Sequence, residues 1–74
     1  MSKKTTEPVV ESDDDVLSMM DIQLEWFKTT GKGISVSNVR QKARHGQLEH
    51  YIDSAGRIQA TRKNVRAAAR STLK

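Results

Sequence analysis

The spacing of hydrophobic residues along the chain predicts three helices, the first from about Val16 to Thr29. One face of it carries Val16, Met20, Leu24 and Phe27, with Leu17 beside them, and a second flank carries Met19, Ile22 and Trp26, so we expect this helix to be covered on two sides. We expect Trp26 to pack in the core. Residues 12–15, Ser-Asp-Asp-Asp, are of the types that cap helix N-termini, so we expect them to cap this helix. An acidic interaction tail, or an internal mimic of nucleic acid, is the alternative role.

Two further helices follow from capping residues and apolar spacing. Ser35 is a natural N-cap for a helix that ends before Gly46, with a narrow apolar stripe of Val36, Val39 and Ala43. Thr61 is expected to cap the last helix. The residues expected to face inward from it are Val65, Ala68, Ala69 and Leu73.

The segment between the second and third helices predicts a β-hairpin. Polar and apolar residues alternate through "QLEHYID" and again through "RIQAT", which is the period of a β-strand. "DSAG" between them is a four-residue turn with Gly56 at its end.

These elements predict an α+β fold of one small domain, with three helices and a two-stranded hairpin between the second and third. The chain has 74 residues, of which 35% are hydrophobic and 4% aromatic, so its core is thin. Residues 1–14 are expected to form a flexible, acidic and polar arm, and residues 15–74 the domain.

The charge of the chain is divided unevenly. Residues 1–25 hold seven acidic and two basic residues, a net charge of −5, whereas residues 26–74 hold eleven basic and two acidic residues, a net charge of +9. A compact segment this basic repels itself unless a polyanion offsets it, and the usual polyanion is nucleic acid. The alternative is a small soluble domain that is basic without a polyanionic partner.

Several classes of protein do not fit the sequence. There is no cysteine, neither histidine stands in a metal-binding pattern, and no nucleophile or phosphate-loop motif is present. We therefore expect no catalytic activity, no metal and no cofactor. No apolar run approaches the length of a membrane span and the N-terminus lacks a signal-peptide pattern, so we expect a cytoplasmic protein without membrane contact.

A row of arginines marks the last helix. Arg62, Arg66 and Arg70 stand at i, i+4 and i+8, and no acidic residue follows Asp53 in the chain. Because like charges at this spacing repel one another, we expect the row to lie along a phosphate backbone.

Helix, helix, hairpin and basic helix follow one another in the order of a winged helix-turn-helix. In that fold the second helix enters the major groove of DNA and the hairpin is the wing. The residues expected to contact bases are Ser37, Asn38, Arg40, Gln41 and Arg44. We expect further residues of the helices, the loop and the wing to contact the DNA backbone. They are Lys32, Lys42, His45, Arg57, Arg62, Lys63, Arg66 and Arg70.

The segments "ISVSNVRQKARHGQL" and "GRIQATRKNVRAA" resemble the DNA-binding domains of excisionase-like and MerR-like proteins, over about residues 20–72. Lys42 departs from the family pattern, which usually has Leu or Trp there. The resemblance implies sequence-specific binding to double-stranded DNA. It also implies an architectural role beside an integrase or another recombinase. Because a domain this small commonly binds repeated sites as adjacent copies, we further expect self-association of copies on DNA.

Three alternative functions remain open. Relatives of excisionases serve as small phage or plasmid transcription regulators, or as the DNA-binding part of a small terminase subunit. "RQKARHGQL" also looks somewhat like the helix of S4-type RNA-binding domains. The third alternative is a protein-interaction module that uses the acidic arm.

Overall fold

A computed structural model describes residues 12–73, which form three helices and one three-stranded antiparallel sheet. The elements in chain order are β1 (Val16–Leu17), α1 (Met19–Thr30), α2 (Val36–Arg44), β2 (Tyr51–Ile52), β3 (Ile58–Thr61) and α3 (Arg62–Ser71). The predicted α+β class and the order helix, helix, hairpin, helix are confirmed. Residues 1–11, the larger part of the predicted arm, lie outside the described residues.

The first strand is the element that the sequence analysis missed. Val16 and Leu17 were expected in the first helix, but they pair with Thr61 and Ala60 of β3, and the sheet order is β1-β3-β2. α1 therefore begins at Met19, three residues later than predicted. Leu17 is buried in the core, which favours the extended conformation because it places the side chain against the sheet's inner face.

The acidic segment before β1 caps a different helix from the one predicted. The backbone carbonyls of Asp15 and Asp13 accept hydrogen bonds from the amides of Arg62 and Lys63, the first two residues of α3. Thr61 is the N-cap of α3, as predicted, and its hydroxyl accepts the amide of the third residue. The first three amides of α3 are thus satisfied, and residues 12–14 extend the folded part beyond the predicted boundary.

α1 is covered on one side and not on two as expected. Ile22 and Trp26 lie in the core, whereas the side chains of Met20, Leu24 and Phe27 are exposed. Trp26 is a core residue, as expected. The core residues are Leu17, Ile22, Trp26, Val39, Leu48, Ala60, Val65, Ala68 and Ala69. Leu73, expected to face inward from α3, is exposed because the helix ends before it.

α2 is confirmed in both position and capping. The Ser35 hydroxyl accepts the amide of Asn38, and Val39 and Ala43 are buried. The turn before it begins at Gly31, which has a φ of 78° and donates its amide to the carbonyl of Phe27. Gln23 of α1 fixes the end of this turn, because its side-chain amide donates to the carbonyl of Ile34.

A buried carboxylate joins α1 to α3. Glu25 is only 3% exposed, and its two oxygens accept hydrogen bonds from Arg62 (2.5 Å) and Arg66 (2.8 Å). Asp15 and Asp13 form outer ion pairs with the same two guanidinium groups, at 3.4 and 3.1 Å. The acidic N-terminal half of the chain thereby neutralises part of the basic C-terminal half.

The arginines hold Glu25 in its charged form. Burial alone would raise the pKa of the Glu25 carboxyl, but the hydrogen bonds from Arg66 and Arg62, with their positive charges, outweigh it and lower the pKa. The same contact raises the pKa of Arg66. Because the pKa of Glu25 is lower in the folded chain, its contribution to stability is present above about pH 4.5, its ordinary pKa. That contribution to stability is lost as the pH falls through the lowered pKa of Glu25 in the folded chain.

We expect Glu25→Gln to lower the free energy of unfolding at pH 7 by about 3 kcal/mol, because it removes the buried carboxylate that accepts hydrogen bonds from both Arg62 and Arg66. The difference from the wild type should shrink as the pH falls below about 4.5. Urea unfolding of both proteins between neutral and acidic pH measures this. Glu49→Gln, at an exposed carboxylate, is the control and should change stability by less than about 0.5 kcal/mol. If the difference in free energy of unfolding between Glu25→Gln and the wild type stays constant at acidic pH, the lowered pKa assigned to Glu25 is contradicted.

Candidate nucleic-acid interface

A cleft of about 730 Å³ lies between α2, the β2–β3 hairpin and the start of α1. Arg40 and Arg44 reach it from α2, and Arg57 reaches it from the hairpin turn. Its lining also includes the apolar residues Met19, Ala43 and Ile58. Among residues 12–73, the side chains that line this cleft include three arginines and no carboxylate. An anionic group of a partner is therefore the chemistry that the cleft favours.

The helix presents its arginines to the cleft for a simple geometric reason. Val39 and Ala43 bury one side of α2, and Arg40 and Arg44, one turn apart, stand beside that buried side. Ser37 and Gln41 continue the same exposed surface away from the cleft. Asn38 is exposed as well. It lies on the same side of α2 as His45, the residue that caps the C-terminus of this helix.

The hairpin turn is held by one aspartate. Asp53 Oδ1 accepts the amides of Ala55 (2.9 Å) and Arg57 (2.8 Å), and the backbone of Asp53 pairs with Arg57 and Gly56. Gly56 has a φ of 79°, a conformation that favours glycine, so the predicted DSAG turn with Gly56 at its end is confirmed. Strand register follows from this turn, with Tyr51 opposite Gln59 and Ile52 opposite Ile58. Asp53 thus fixes where Arg57 stands.

The other predicted backbone contacts lie outside the cleft. Lys32 is exposed in the loop between α1 and α2, and Lys63 and Arg70 are exposed on α3. Lys42 is half-buried, with its amine 5.5 Å from the centre of the Trp26 ring. This cation–π contact joins α2 to α1 at the position where the resembling family has an apolar residue.

Arg62 and Arg66 are placed differently from the expectation. No acidic residue follows Asp53 in the chain to offset them, but Glu25, Asp13 and Asp15 all lie against them. Their side chains are 12% and 29% exposed. The expectation that the row is electrostatically unbalanced is wrong for these two residues, because their partners come from far earlier in the chain. We therefore assign them to the packing of α3 on α1.

Two signals in the sequence pointed to these features. Glu25 lies beside Ile22 on the arc of α1 that also carries Trp26, and an acidic residue that is buried on an apolar arc requires a cationic partner. Ser18 and Asp21 form a Ser-x-x-Asp pattern that marks the true start of α1, where the Ser18 hydroxyl donates to Asp21 at 3.3 Å. The Ser18 pattern separates β1 from α1, and the Glu25 pattern indicates which side of α1 is buried.

The chain matches no protein-family model, and the searches of curated proteins and of solved structures find no similar protein. No group of three or more potential metal ligands occurs among residues 12–73. No helix in the same described part of the chain is long and apolar enough to cross a membrane.

We expect Asp53→Ala to destabilise the hairpin by about 1–2 kcal/mol, because two backbone amides lose their acceptor. Asp53→Asn retains the Oδ1 acceptor, so it should destabilise the hairpin by about half as much or less. Hydrogen exchange of the Arg57 amide, followed with thermal unfolding, distinguishes the two variants. Equal protection of that amide in the wild type and the alanine variant would show that Asp53 does not hold the turn.

Proposed function

We propose that the chain is a sequence-specific double-stranded DNA-binding protein of the winged helix-turn-helix type. The observation that carries the proposal is the convergence of Arg40, Arg44 and Arg57 on one cleft without a carboxylate. α2 then serves as the helix that enters the major groove, and the β2–β3 hairpin serves as the wing.

The distribution of charge over the fold supports this choice of surface. Two arginines of α3 are neutralised by the acidic N-terminal half, so the cations of α2 and the hairpin remain for an external anion. Residues 32–60 carry five basic and two acidic residues, and one of those acids, Asp53, accepts amides of its own turn. The positive potential is thus concentrated beside α2.

The exposed surface of α2 has the side chains that read bases. Arginine pairs with guanine, glutamine and asparagine pair with adenine, and serine contacts several bases. Arg40, Gln41 and Ser37 are adjacent on this surface and exposed, and Asn38 lies at its edge. We assign base contacts to Arg40 and Gln41 and a backbone contact to Arg57.

An architectural role beside a recombinase rests on the resemblance to excisionases alone. Footprinting on the DNA that flanks the protein's own gene tests it. Protection beside an attachment site supports that role. Protection over a promoter supports the alternative role of a transcription regulator instead.

We expect Arg40→Ala to weaken binding to the preferred duplex by about 1–3 kcal/mol and to relax the preference at one base position. Arg57→Gln should weaken binding to preferred and random duplexes alike. It should also reduce the slope of log K against log salt by about 0.9. Fluorescence anisotropy with labelled duplexes across a salt series measures both effects.

Lys63→Gln is the matched control, because it removes one exposed positive charge from the start of α3, outside the cleft. We expect an unchanged slope for this variant. A loss equal to that of Arg57→Gln would extend the interface to α3. Tighter binding of hairpin RNA than of duplex DNA by the wild type would contradict the proposal in favour of the S4-type alternative.

A further inference from the structure

An apolar stripe runs along the exposed side of α1, and its first residue, Met20, also lines the cleft beside α2. Met20, Leu24 and Phe27 are 77%, 52% and 53% exposed, although they stand at the i, i+4, i+7 spacing that normally marks a buried helix face. We call these three residues the α1 stripe. The opposite side of the same helix buries Ile22, Glu25 and Trp26, so the stripe cannot reach the core without breaking the contact between α1 and α3.

The stripe has the spacing of a helix–helix seam. In heptad notation, Met20 and Phe27 occupy d positions and Leu24 occupies the a position between them. Asp21 and Lys28 then occupy two successive e positions. In an antiparallel pair of such helices the e positions of the two copies face each other. Asp21 of one copy would therefore lie beside Lys28 of the other, and the two-fold axis repeats this pair.

We propose that α1 pairs with α1 of a second copy of this chain, antiparallel and about a two-fold axis near Leu24. Met20 of each copy packs beside Phe27 of the second copy, and the two Leu24 side chains meet at the axis. Opposite charges at positions 21 and 28 select the antiparallel direction, because a parallel pair would set Lys28 against the uncharged Gln23 and would give Asp21 no opposite charge on the second α1. The dimer does not require DNA, so its test is independent of the proposed function.

Sedimentation equilibrium of the full chain, without nucleic acid and at concentrations up to about 1 mM, measures the association. Leu24→Gln and Phe27→Gln should each raise the dimer dissociation constant at least about tenfold, because each substitution acts twice in a two-fold interface. Ile52→Gln is the control, since Ile52 is 57% exposed on β2, and it should leave association unchanged. A wild-type chain that stays monomeric throughout would overturn the proposal.

Charge reversal tests the orientation. Asp21→Lys and Lys28→Asp should each weaken association about tenfold, because each places two like-charged pairs across the interface. The double variant Asp21→Lys/Lys28→Asp restores opposite charges and should associate within about threefold of the wild type. Thermal unfolding checks that every variant is folded, since Asp21 also contacts Ser18 at the start of α1 and Lys28 has a contact within its own chain. A folded double variant that associates as weakly as the single variants would overturn the antiparallel pairing.

Discussion

The hydrogen-bonded ion pairs between Glu25 and two arginines of α3 hold the fold together. A carboxylate that is 3% exposed is stable in its charged form only where cations and donors surround it, and Arg62 and Arg66 supply both. The contact sets the rotation of α1 about its axis, which in turn decides that Trp26 is buried and the α1 stripe exposed. Asp13 and Asp15 extend the same charge cluster and cap the start of α3.

The same ion pairs decide where positive charge remains for a partner. Residues 26–74 carry a net charge of +9, which by itself indicates a basic surface over the whole second half of the chain. Once the acidic N-terminal half lies against α3, the cations that face a common cleft are those of α2 and the hairpin turn. The proposed DNA surface is therefore defined as much by the internal neutralisation of α3 as by the arginines of α2.

Local patterns predicted most of the fold, and long-range contacts account for what they missed. The starts of α2 and α3 and the hairpin turn could be predicted because the residues that determine them make local contacts. Ser35 and Thr61 cap amides three residues later, and Gly56 adopts the positive φ of its own turn. β1 pairs with a strand more than forty residues later, and Glu25 pairs with Arg62 across 37 residues, which no local window contains. Two apolar arcs on α1 left its rotation undetermined until that ion pair was located.

The central claim is that the arginines of α2 and the hairpin contact DNA while those that hold Glu25 do not. Nuclear magnetic resonance of the arginine Nε–H groups, recorded as duplex DNA is added to the isotope-labelled chain, tests it directly. The signals of Arg40, Arg44 and Arg57 should shift in proportion to bound DNA, and those of Arg62 and Arg66 should keep their positions. Shifts confined to Arg62 and Arg66, with the three cleft arginines unchanged, would contradict the account.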